Sequence, residues 1–123
     1  MKVIGLTGSI AAGKSTVTGW IRSFGIAIHD ADAAVHELLS AHGAAVDTIL
    51  AEFEPDLVGH DIGNLEKGIN RQALGDHVFA RPQARKQLES ILHPLVRQHR
   101  EAFLDKHRAF AAPAVVLDVP LLF

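Results

Sequence analysis

The hydrophobic positions of the chain fall into short runs that switch between strand and helix periods. Val3, Ile4 and Leu6 open it as an apolar run with the composition of a buried strand. Val17, Trp20, Ile21 and Phe24 follow at helical spacing, which predicts a helix from Lys14 to Phe24 with one face buried against a sheet. Gly25 stands in the C′ place that ends such a helix. Ile26-Ala27-Ile28 predicts a second short strand, and so compact a strand–helix–strand step implies a right-handed crossover and a parallel sheet.

Val35, Leu38 and Leu39 then predict a helix after the second strand, and Gly43 separates it from another running from Ala44 to about Phe53. Residues 54–68 hold one Pro, three Gly and few apolar side chains, and predict a loop. A short helix is expected from Asn70 to about Phe79. A long one follows from Pro82, favoured in a first turn, to near Phe110, with Leu88, Leu92, Leu95, His99 and Phe103 on one face. Pro94 lies inside it and predicts a kink near His93, because proline removes a backbone donor and crowds the preceding turn. Its charged residues, Arg85, Lys86, Glu89, Arg97, Arg100 and Glu101, read as a solvated face. Pro113 opens Ala114-Val115-Val116-Leu117-Asp118, a continuous run of the kind buried on both faces of a parallel sheet.

Chemistry enters at the first strand–helix junction. Gly8-Ser9-Ile10-Ala11-Ala12-Gly13-Lys14-Ser15 satisfies G-x-x-x-x-G-K-S/T, the phosphate-binding P-loop, in the strand–loop–helix context that it requires. Such a loop aims backbone N–H groups and a helix N-terminus at one anion. Lys14 can reach the β- and γ-phosphates of a nucleotide, and the Ser15 hydroxyl can ligate Mg²⁺. In a parallel sheet ligands sit beyond the carboxyl ends of the strands. Asp30 and Asp32 therefore share an edge with the loop: either residue caps the next helix, or serves as a general base or Mg²⁺-associated carboxylate. Asp118 closes its strand on that edge, as a turn residue or as the holder of an Mg²⁺-bound water.

Composition narrows the class. The 123 residues are 48% apolar, enough for a core in one domain. A net charge of −2 argues against a general nucleic-acid or membrane-surface binder, so positive charge for phosphates must be local. The absence of cysteine excludes a disulfide scaffold and fits a reducing cytosol. The N-terminal apolar run is too short for a signal peptide, and a soluble, cytoplasmic protein is expected. The eight histidines show no metal-ligand spacing, and oligomeric state is not encoded in any visible pattern.

Several segments together resemble dephospho-CoA kinase. They are GLTGSIAAGKST at 5–16, Gly25 with Ile28-His29-Asp30-Ala31-Asp32, Gly68-Ile69-Asn70-Arg71 with Leu74, Val78-Phe79, Leu88-Glu89 with Leu92-His93-Pro94, and Asp118-Val119-Pro120-Leu121-Leu122-Phe123. The resemblance implies an α/β, P-loop nucleoside-triphosphate hydrolase-like fold, a parallel sheet with helices on both faces. It implies transfer of the ATP γ-phosphoryl group to the 3′-hydroxyl of dephospho-CoA, with Mg²⁺. Carried over by position, Gly8, Ala11, Ala12, Gly13, Lys14, Ser15 and Thr16 bind the ATP phosphates, and Lys14 and Asp32 are catalytic, Asp32 as general base. Arg71, His93 and Arg97 are candidates for the acceptor side, and Ser15 and Asp118 for the metal. The chain departs from the family pattern at Ala11, where Gly is usual, and at His36, where Arg is common. Family members also continue past Phe123 with an Arg-bearing lid and further strands, so residues 1–123 are expected to form a kinase domain incomplete at its C-terminus. A nucleotide-binding fragment without catalysis is the alternative. A nucleoside-monophosphate kinase would share the P-loop but not the DAD, LHP and DVPLLF segments.

Overall fold

The computed structural model describes residues 1–6, 11–53, 55 and 61–118, with residues 11–15 described by their backbone. In chain order the elements are β1 (Lys2–Leu6), α1 (Ala11–Ser23), β2 (Ala27–Asp30), α2 (Ala31–Leu39), α3 (Val46–Phe53), β3 (Gly63–Asn64), β4 (Gly68–Ile69), α4 (Arg71–Phe79), α5 (Pro82–Ala109) and β5 (Ala114–Asp118). Two compact units divide them: Met1–Ala34 with Gln98–Phe123, and Val35–Arg97.

The first unit is built on a parallel sheet of order β1-β5-β2. The parallel expectation holds, and the last strand in sequence takes the centre. Val115 and Val116 explain this, because they point to opposite faces and both are buried, which only a strand covered on both sides allows. Among the described residues β1 is an edge strand with Val3 and Ile4 exposed, not the buried strand expected of its apolar run. The face of α1 differs from expectation too. Val17 is 37% exposed, Trp20 64% and Phe24 80%, while Thr18 is buried. The spacing is amphipathic as read, but the described residues contain no strand beyond β1 for that stripe to cover.

α1 starts three residues earlier than expected, at Ala11, and ends at Ser23, one residue before the expected Phe24. The Gly25 N–H donates to the Arg22 carbonyl at 2.9 Å and the Ile26 N–H to the Ile21 carbonyl at 3.4 Å. With Gly25 at φ 77°, this is the paired C-terminal bond pattern that needs a left-handed residue.

The second unit has its own core of Leu38, Leu39, Val46, Ile49, Phe53, Ile62, Ile69, Leu74 and Leu92. Burying side chains of this size contributes about 1.5–3 kcal/mol each. α4 begins as expected, with the Asn70 side chain accepting from the Ala73 N–H at 3.2 Å. The stretch read as a loop contains a small antiparallel pair, β3 with β4. Its turn is closed by side chains, Asp61 accepting from the Gly63 N–H and Asn64 from the Lys67 N–H, local bonds that the sequence leaves unspecified. α5 continues through Pro94 as one helix. Residues 54 and 56–60 of the expected loop lie outside the described residues, as do Val119 to Phe123.

Gly43 and Gly75 give opposite predictions. A Cβ on Gly43 would meet the Leu38 carbonyl oxygen at 2.1 Å, so Gly43→Ala should destabilise the chain by about 1–3 kcal/mol in urea unfolding. Gly75 is exposed within α4 with nothing near its Cβ position, so Gly75→Ala should stabilise it by up to about 1 kcal/mol. A stabilised Gly43→Ala variant would contradict the packing of the α2–α3 corner.

Candidate nucleotide site

Register assembles the site. Asp118, the last residue of β5, pairs with Leu6 at the end of β1 and with Asp30 at the end of β2. Neighbouring strands lie about 4.8 Å apart, so the three backbone positions fall in one row roughly 10 Å long. The chain enters the P-loop directly after Leu6 and enters α2 directly after Asp30. The α2 N-terminus therefore starts at the same strand edge as one buried carboxylate.

Ala11, Ala12, Gly13, Lys14, Ser15 and Thr16 form the first turns of α1, a helix of 13 residues. The first four N–H groups of a helix lack carbonyl partners within it, so this segment offers donors at its start. Gly8 belongs to residues 7–10, outside the described residues. The departure at Ala11 falls on the first residue of the helix.

The two aspartates of the DAD segment separate in structure. Asp30 Oδ1 accepts from the Asp32 N–H at 2.9 Å and the Ala33 N–H at 3.3 Å, so Asp30 is the cap of α2. Asp32 sits in the first turn of α2 and is exposed, where a negative charge is favoured by the helix dipole. Sequence could not divide these roles, because both residues are of capping type and only the dihedral path of the chain selects one.

Asp118 is 9% exposed, a buried carboxylate at the strand end. Its oxygens are hard donors of the kind Mg²⁺ takes, usually one or two carboxylates completed by water and phosphate oxygens. With the Ser15 position on the second turn of α1, the donor types fit that ion.

Arg71, His93 and Arg97 all belong to the second unit, whereas the P-loop, Asp32 and Asp118 belong to the first. All three are exposed. Arg71 is the first residue of α4, and its guanidinium donates to His36 Nδ1. The His36 departure thus supplies an acceptor to Arg71, which a second guanidinium could not do. No short-range pattern announces this pair, which is separated by 35 residues.

Comparisons with known proteins agree over nearly the whole chain. A family model described as dephospho-CoA kinase matches residues 2–123. A protein named dephospho-CoA kinase from Rhodospirillum rubrum is 52% identical over 121 residues, covering 98% of this chain and 54% of its own length. The protein of the same name from Paramagnetospirillum magneticum is 46% identical over 123 residues, covering 100% of this chain and 55% of its own. The solved dephospho-CoA kinase of Campylobacter jejuni superposes with a TM-score of 0.78 at 31% identity, covering 100% of this chain and 59% of that one. The chain thus spans about half the length of the curated relatives it matches. With a family match across residues 2–123, and relatives of that name 52% and 46% identical over nearly the whole chain, the chain belongs to the dephospho-CoA kinase family.

Proposed function

We propose that this chain forms the nucleotide site of a kinase that moves the γ-phosphoryl group of ATP to the 3′-hydroxyl of dephospho-CoA, giving coenzyme A and ADP. The observation that supports this is the row Leu6–Asp118–Asp30, which sets the end of β1, from which the chain enters the phosphate motif, level with a buried carboxylate and the capped start of α2. Backbone N–H groups at the start of α1 would hold the phosphates, and Lys14 would neutralise charge that builds on the transferred group. Asp32 would accept the proton of the 3′-hydroxyl and hold that oxygen in line. Ser15 and Asp118 would hold Mg²⁺, which when bound adds electrostatic neutralisation of the phosphates. Arg71, oriented by His36, would meet an anionic group of the acceptor, with His93 and Arg97 as further contacts. Small-molecule partners and a cytoplasmic setting belong to the same proposal, and among the described residues no helix is long and apolar enough to cross a membrane.

Because phosphoryl transfer passes through a loose transition state, alignment and charge neutralisation outweigh proton removal. Lys14→Ala should therefore reduce ADP formation more severely than Asp32→Asn. The expected losses in kcat are about 10³-fold or more for Lys14→Ala and about 10²-fold for Asp32→Asn. Asp32→Asn should leave the KM for ATP near its original value. Asp30→Ala should act on folding instead, lowering stability by about 1 kcal/mol in urea unfolding through loss of the cap.

The assay is ADP release by the purified chain with Mg-ATP, with and without dephospho-CoA. Acceptor-dependent release supports transfer; a folded chain that shows none rejects it. Binding of nucleotide without transfer is a second reading. Calorimetry distinguishes it: heat of Mg-ATP binding in the absence of turnover is its signature.

A further inference from the structure

His29 stands immediately before the capping aspartate and is 5% exposed. Successive strand residues point to opposite faces, so its ring leaves β2 on the side away from the Asp30 side chain. There its Nε2 lies 2.9 Å from Nδ1 of His99 on α5. The two ring centroids are 5.1 Å apart, and the His29 ring also lies 5.3 Å from that of Phe103. Phe103 in turn carries the His107 ring at 4.5 Å. Residues 99, 103 and 107 recur every fourth position on one face of α5, and all belong to the same unit as β2.

We propose that His99 is a positioning residue that, through its hydrogen bond to His29, fixes the turn in which Asp30 caps α2 and Asp32 presents its carboxylate. β2 has four residues and, among the described residues, pairs only with β5, so no second described strand braces its outer edge. A buried ring nitrogen needs a partner, and here one ring donates its N–H to the lone pair of the other. Phe103 blocks sideways movement of the same ring. His29 is bonded directly to Asp30, so a displaced imidazole moves the carboxylate whose 2.9 and 3.3 Å bonds define the turn. Bonds of that length weaken with displacements of a few tenths of an ångström. Only the catalytic consequence rests on Asp32 being the general base; the positioning itself does not.

Amide hydrogen exchange on the chain without substrate tests this separately from any activity. His99→Leu keeps an apolar side chain beside Phe103 and removes the ring nitrogen. His99→Asn keeps a polar atom near the place of Nδ1. In His99→Leu the Asp32 and Ala33 amides should exchange about tenfold faster, while Val115 and Val116 in β5 keep their protection. In His99→Asn exchange should return to within about twofold of the parent chain. Three outcomes would overturn the proposal: unchanged exchange in His99→Leu, equal loosening of β5, or an Asn variant as loose as the Leu variant. Should His99→Leu fail to fold, His29→Gln, which keeps a polar atom near Nε2, must preserve the turn where His29→Leu loosens it.

Discussion

Strand β5 is the constraint on which the candidate site depends. Its five residues pair with β1 on one side and four of them with β2 on the other, and the ladder equates Asp118 with Leu6 and with Asp30. Consecutive buried valines at 115 and 116 secure the strand on both faces. A one-residue slip would reverse which faces those side chains occupy and would carry Asp118 away from the row, so burial and site geometry enforce the same register.

Two helix termini belong to the proposed site. α1 begins at Ala11 with the residues of the phosphate motif on its opening turns. α2 begins at Ala31, with its two donated N–H bonds taken by Asp30. This leaves the DAD segment with one aspartate committed to structure and one exposed. A single carboxylate could not both cap the helix with Oδ1 and move freely toward a substrate oxygen. The His29–His99 bond extends the same logic one layer deeper, since it holds the residue next to the cap.

Much of this was legible because it is local. The β5 segment, the Gly25 stop, the Asn70 start and the P-loop each depend on a few adjacent residues, and the structure shows the first three where the sequence put them. The central place of β5 was not legible, since strand order follows from pairings across more than eighty residues. Trp20 and Phe24 carried the right spacing for a buried stripe, yet spacing says nothing of what stands opposite it. His29 and His99 are seventy residues apart, and each alone reads as an ordinary residue of an apolar face. The early start of α1 escaped because Ala11 and Ala12 are good helix formers that also fit the loop motif.

A crystal structure of the chain with Mg²⁺ and a non-hydrolysable ATP analogue would show whether the edge holding Leu6, Asp118 and Asp30 receives the triphosphate, as proposed. Phosphate oxygens are expected within hydrogen-bond distance of backbone N–H groups at the start of α1, with the metal on the Asp118 side. Triphosphate bound away from that edge, with the α1 N-terminus making no contact to it, would overturn the proposed nucleotide site.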